Sequence, residues 1–232
     1  MDRSQLKKLS WEQIQGKIWK LFLISLIVFA IVLAVESAVL GAISVPLIIS
    51  TGLTDLAIAG AITAEEITEL VIDLMESASD MSSSVVSVFL AAPFNLAIAM
   101  IYINITNGIE PQIADTFKGF KKYWKAVGVY FFIELFTSLW ALLFIIPGIV
   151  KWYSYSMAPY ILAENPEMGP LDAIRKSKEM MDGHKGDLFG LHISFIGWFL
   201  LTIVSCGVAS IWCIPYLEAA TANFYKQLKG EL

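Results

Sequence analysis

Residues 21–42 form an apolar run with a single ionisable side chain, Glu36. At 1.5 Å per residue, a helix of that length crosses the ~30 Å hydrocarbon core of a bilayer, and it satisfies its own backbone N–H and C=O groups on the way. Five further stretches have the same character. They are residues 85–106, with Pro93 and Asn95 inside; 127–146, which Pro147 and Gly148 are expected to end in a tight turn; 149–163; 188–206; and 208–225, parted from the preceding stretch by Gly207. The fourth is short, ~22 Å as a helix, so it spans only with little tilt and with help from interfacial aromatics. Composition agrees, since 57% of the 232 residues are hydrophobic and 16% charged, against about 25% charged in soluble domains. A disordered chain, a disulfide scaffold and a coiled coil are excluded. A net charge of −5 lacks the basic excess of a nucleic-acid binder. The first run outlasts the roughly 7–15 residues of a signal-peptide core, so it reads as a retained anchor.

The expected fold is all-α and polytopic, with six transmembrane helices as three hairpins plus amphipathic surface helices. Basic residues set the direction, because short cytoplasmic loops carry them in excess. Arg3, Lys7, Lys8, Lys17 and Lys20 precede span one. Lys118, Lys121, Lys122 and Lys125 follow span two, Arg175, Lys176, Lys178 and Lys185 follow span four, and Lys226 and Lys229 follow span six, making 15 of the 16 basic residues. All four groups share the cytoplasmic face if both termini are inside. Residues 50–84, expected outside, carry seven acids and no basic residue. A weak repeat supports three hairpins. Pro93-Phe94, Pro159-Tyr160 and Pro215-Tyr216 each precede an alanine by the same spacing, at Ala97, Ala163 and Ala219, one in each even-numbered span.

The chain thus reads as one membrane domain, 1–232, with a cytoplasmic interfacial segment at 1–20 and an exterior acidic helical insertion at 50–84. In that insertion Thr63 and Glu66 have capping-box spacing, Ile62 and Ile67 have staple spacing, and Leu70, Val71, Leu74 and Met75 continue an apolar side opposite Glu65, Glu69, Asp73 and Glu76. Residues 112–125 alternate Phe117, Phe120, Tyr123 and Trp124 with lysines and read as an interfacial helix able to meet anionic headgroups. Residues 170–181 start with proline at a helix N1 position, and Asp172/Lys176 and Arg175/Glu179 have ion-pair spacing.

From residue 145 onward the sequence carries distinctive runs: Ile145-Ile146-Pro147-Gly148, then Tyr155-Ser156-Met157-Ala158-Pro159-Tyr160-Ile161-Leu162-Ala163-Glu164-Asn165-Pro166, Gly183-His184-Lys185, Ser194-Phe195-Ile196-Gly197-Trp198 and Ala222-Asn223-Phe224-Tyr225. Together they resemble the uncharacterised bacterial integral membrane proteins grouped as domain-of-unknown-function family 975, most strongly over residues 110–228. The resemblance implies a multi-pass plasma-membrane protein and supplies no catalytic residue to carry over.

Candidate chemistry lies where ionisable groups interrupt the spans, because such groups are costly in lipid and should face the bundle interior. Glu134 and Glu218 sit at matched depth, about 11 Å from the inner ends of their helices, and His192 about 6 Å. They are a candidate intramembrane polar cluster lining a proton- or cation-handling cavity; the alternative is that each is satisfied separately and only fixes helix packing. Asn104 and Asn223 approach the same inner half. Glu36 and Lys151 are a candidate outer ion pair. Gly186, Gly190, Ser194 and Gly197 make a small-residue face, a candidate helix-packing face expected against Ala219 and Ala222. Cys206 and Cys213 read as buried packing thiols.

HExxH, GxSxG, GxxxxGK[ST] and GxGxxG motifs are absent from the sequence, which holds two histidines. No catalytic, cofactor-binding or metal residue is therefore expected, and no cofactor. The expected partners are membrane lipids and another membrane protein, with no nucleic acid. The function expected is a non-enzymatic accessory, envelope-homeostasis or protective component of the plasma membrane. The alternatives are a small transporter or channel using Glu134 and Glu218, and a receptor or immunity-type protein binding cationic peptides through the exterior acidic helix.

Overall fold

The computed structural model describes residues 2–50, 63, 65, 66, 68–73, 76 and 87–231. Among them every regular element is helical. The chain divides into two units, one made of Met1–Leu26 and Ala92–Leu232, the other of Ile27–Ala91.

In the first unit, α1 (Arg3–Ile14) is an amphipathic helix begun by a capping box, in which Asp2 receives the Arg3 N–H and Gln5 returns to the Asp2 N–H. Its hydrogen bonds, the Ser4 hydroxyl first among them, hold the Asp2 carboxyl below its ordinary range. Leu6, Ser10 and Ile14, spaced by four, are its buried stripe. Gly16 at φ 83° turns the chain into α2 (Ile18–Ser50), whose later part forms the described helix of the second unit. After a π-helical turn (Ser87–Ala91) come α3 (Ala92–Thr106), a 3-10 segment (Ile113–Lys122) and α4 (Tyr123–Leu143). Then follow α5 (Ile145–Tyr155), α6 (Ala158–Glu164), α7 (Pro170–Met180), α8 (Lys185–Ile193), α9 (Ile196–Val204) and α10 (Ser210–Lys229).

Among the described residues, four helical stretches are long and apolar enough to cross a membrane: Ile18–Ala42, Phe89–Thr106, Ile113–Leu143 and Lys185–Val204. They correspond to the first, second, third and fifth expected spans. The other two differ for physical reasons. The expected fourth span is broken at Ser156 and Met157 into α5 and α6, roughly 17 Å and 11 Å long. Ser177 of α7 holds that break, its hydroxyl donating to the Ser154 carbonyl at 2.9 Å and receiving the Met157 N–H at 3.2 Å. The expected sixth span is one helix, α10, but Glu218, Thr221 and Asn223 thin its apolar character. The turn before α5 also falls earlier than its sequence indicates. Phe144 is extended, at φ −156° and ψ 139°, while Pro147 and Gly148 sit in the first turn of α5, where a missing N–H costs nothing. Gly148 lies against Ala141, whose Cβ would be 2.7 Å from an added side chain.

The three amphipathic segments dock alike. The 3-10 segment lies on α3, which starts beside Pro93; α7 lies on α6, which carries Pro159; and α1 lies on α10, which carries Pro215. The three prolines and the aromatic residues after them, Phe94, Tyr160 and Tyr216, are buried. Phe94 meets Phe120 edge-on at 4.9 Å, and Tyr216 meets Trp11 in the same manner at 5.3 Å. On α7 the expected pairs Asp172/Lys176 and Arg175/Glu179 do not form; Arg175 instead donates to Asp172 at 3.1 Å. Beyond α6, Glu167 accepts from Lys122, whose ammonium holds that carboxyl below its ordinary range.

Large apolar side chains stand uncovered at the turn joining α4 and α5, with Leu142 86% and Ile145 76% exposed, and at the end of α9, with Val204 80% exposed. Patches of that kind would drive aggregation in water, whereas lipid chains solvate them. Cys213 is buried, but Cys206 is exposed, against expectation, because it occupies a turn at φ 49° just before Gly207. In the acidic insertion the capping box is formed, with the Thr63 N–H donating to Glu66 at 2.7 Å and the Glu66 N–H to the Thr63 hydroxyl at 3.3 Å. Ile62, Ile67, Leu74 and Met75 lie outside the described residues; Leu70 is exposed and Val71 half-buried.

Candidate functional site: a carboxylate and aromatic cavity

One convergence of polar side chains arises from helices remote in sequence. Glu134 on α4, His192 on α8 and Glu218 on α10 line one cavity of about 350 Å³, a volume within the roughly 300–1,000 Å³ of small-molecule sites. Tyr130 lies one turn before Glu134 on the same face, and Thr221 one turn after Glu218, so helical spacing sets these neighbours. Asn95 enters from α3, Trp152 from α5, and Tyr160 from α6.

The two acids are held differently. Glu218 is half-buried and accepts a hydrogen bond from the Tyr160 hydroxyl at 3.2 Å, while Tyr102 and Tyr130 lie within electrostatic reach of it. Glu134 is exposed to the cavity mouth and accepts no hydrogen bond among the described residues. His192 places its Nδ1 3.3 Å from the Tyr153 hydroxyl, with its ring to one side of the Tyr153 and Trp152 rings. Among the described residues no group of three or more His, Cys, Asp or Glu side chains is close enough to hold a metal ion. The three ionisable groups therefore share a space without forming one ligand set. Among the described residues no lysine or arginine lines the cavity. Two carboxylates and aromatic faces are groups that attract positive charge.

Other candidates are placed elsewhere. Asn104 lines a separate polar cavity with Asn107, Lys118 and Glu164. Asn223 donates to Ser10 at 2.9 Å and Gln13 at 2.7 Å, both on α1. Lys151 sets its ammonium 4.6 Å from the centre of the Trp140 ring, and Glu36, in the second unit, has no ion-pair partner among the described residues. The small face that begins on α8 and runs into α9 is met in part by α1. Gly186 and Gly197 have open space where a Cβ would stand, and Gly190 lies under the Arg3 guanidinium. The Ser194 carbonyl receives the Lys7 ammonium at 3.0 Å. Arg3 and Lys7 of α1 thus lie over Gly190 and Ser194, because an arginine and a lysine can lay their long stems across small residues. Partial burial there pulls the Lys7 ammonium below its ordinary range.

Sequence reasoning named the three ionisable residues and missed their aromatic surround. Only Tyr160 carried a signal, as the residue following the second repeat proline. Tyr130, Trp152 and Thr221 become neighbours through the tertiary fold.

Among the described residues, helices long and apolar enough to cross a bilayer fit an all-helical protein of the membrane type. Residues 145–231 match the family described as "Protein of unknown function (DUF975)", so the resemblance read from the sequence is shown for that stretch. No curated protein and no solved structure matches the chain.

Proposed function

We propose that this is a non-enzymatic, multi-pass protein of the plasma membrane that takes up a proton or small cation in the cavity of Glu134, His192 and Glu218. One observation carries the reading: two acids and a histidine from three separate helices line a common space without a lysine or arginine beside them. This favours the small transporter or channel over a purely packing role for the acids, and it gives an envelope-homeostasis component something to act on. Peptide capture through the exposed acids of the insertion gains no comparable support.

Flux in proteoliposomes tests the reading. The protein should carry protons or a monovalent cation down an imposed gradient, and Glu134→Gln and Glu218→Gln should each lower the rate at least tenfold with the thermal midpoint in detergent unchanged. Tyr160→Phe, which removes only the hydrogen bond to Glu218, should fall between. Absence of flux across a panel of cations, or flux indifferent to both carboxyls, would sink it.

The six-span arrangement with both termini cytoplasmic belongs to the same proposal. It rests on the basic clusters and on the length of α10, with the shorter α5 and α6 together forming a broken fourth passage. The turn at Cys206 then faces outward. A membrane-impermeant maleimide should label Cys206 in intact cells and leave buried Cys213 unlabelled; labelling only after permeabilisation would reverse the topology.

A further inference from the structure

A second cavity collects the opposite charge. Lys151 on α5, Arg175 and Lys178 on α7, and Lys185 just beyond line a cleft of about 290 Å³ together with Glu179 and Asp182, an excess of two positive charges. The positive groups are only lightly engaged. Arg175 donates to Asp172 at 3.1 Å and Lys185 to Asp182 at 3.4 Å, both through solvent-facing carboxylates, and such pairs exchange readily for a stronger anion. Lys151 rests on the Trp140 ring, and Lys178 has no ion-pair partner among the described residues.

The floor of the cleft is fixed. Ser154 is buried, and its carbonyl is held by the Ser177 hydroxyl, which ties α5 to α7 directly beneath the charges. The border is apolar: Val150 lines the cleft at 45% exposed, and Ile149, one residue before it on α5, is 49% exposed. A guanidinium fork and three ammonium groups around one hollow match the oxygen atoms of a phosphate. A freely dissolved phosphate would use the charges and leave the apolar border idle. A phospholipid uses both, headgroup in the cleft and acyl chains along the outer face of α5.

We infer that this cleft binds the phosphate of an anionic phospholipid headgroup. The site is independent of the cation cavity, shares no lining residue with it, and stands whether or not the protein moves cations. Basic hollows between membrane helices near the cytoplasmic boundary are suited to such headgroups, and each lysine there contributes enough to change occupancy roughly fivefold.

The test is native mass spectrometry of the full chain in detergent, offered equal amounts of phosphatidylglycerol, phosphatidylethanolamine and phosphatidylcholine. Phosphatidylglycerol should be retained in preference to the other two. Lys178→Gln should lower its retention roughly fivefold, and Lys151→Gln with Lys178→Gln roughly twenty-five-fold, while Lys8→Gln, at an exposed lysine outside the cleft, should leave it unchanged. Should the double variant not fold, the exposed Lys178→Gln alone decides. Equal retention of the three lipids, or retention unaffected by Lys178→Gln, overturns the proposal. Inorganic phosphate binding as tightly as phosphatidylglycerol and displacing it at equal concentration would also overturn the lipid assignment and make the cleft a soluble-anion site.

Discussion

Gly119→Val is expected to cost roughly 3 kcal/mol or more and to leave little folded protein after extraction. Gly119 is buried in the 3-10 segment, where a Cβ would stand 1.8 Å from the Pro93 carbonyl oxygen, 2.8 Å from its carbon and 3.1 Å from the Ala97 nitrogen. All three are backbone atoms at the start of α3, so no side chain can rotate out of the way. Relief requires the 3-10 segment to lift from α3, which opens the Phe94–Phe120 contact and wets Asp115, 5% exposed and paired with Lys118 at 2.7 Å. The alanine variant should already show most of the loss, since its one added carbon is the clashing atom. Gly186→Ala is the control: no atom lies within 4 Å of its added carbon, and alanine is the better helix former by up to about 1 kcal/mol. Thermal unfolding in detergent, followed by size exclusion, compares the two. Equal midpoints for Gly119→Ala and Gly186→Ala would refute the close approach.

That contact also marks where the sequence stops being readable. The apolar runs are local facts, so the chain's helical nature and the location of its long helices can be read residue by residue. Helix breaks are different. The turn at Phe144 bears no proline or glycine of its own, and Pro147 looks like the stop although it serves as an early residue of the next helix. The break at Ser156 and Met157 depends on Ser177, twenty residues further along, whose hydroxyl supplies the partners the interrupted helix lacks. For the cavity, depth along each span could be estimated from 1.5 Å per residue, and this placed Glu134 and Glu218 level. Which helices are neighbours is a long-range matter, and so the aromatic lining went unseen. The small face that begins on α8 was visible as a pattern, yet the Arg3 and Lys7 stems that lie over Gly190 and Ser194 come from nearly the whole chain away. A stripe of small residues says that something approaches and is silent about what.

Deleting residues 3–14 should lower the thermal midpoint by roughly 10 °C, even though that helix lies before the first long apolar run. α1 does for α10 what the 3-10 segment does for α3 and α7 for α6: each fills the side of a proline-bearing helix. Its contribution has two parts. Leu6, 2% exposed, and Ile14, 0% exposed, are buried by docking, at roughly 1.5–3 kcal/mol each. Removal also strands polar groups. Asn223, 0% exposed, loses both acceptors of its amide, Ser10 and Gln13, and the Tyr216 hydroxyl loses the Lys7 carbonyl at 3.1 Å. Left in an apolar surround, such groups cost about 1–3 kcal/mol each. Relaxation and water entry reduce the sum, and a net loss of about 4 kcal/mol corresponds to roughly 10 °C for a chain of this size. Asn223→Leu separates the two parts: in the deleted chain it should recover a portion of the midpoint by removing the stranded amide, whereas in the intact chain it should destabilise by taking away the donor to Ser10 and Gln13. A deletion that shifts the midpoint by under 2 °C would mean that α1 rests on α10 without holding it.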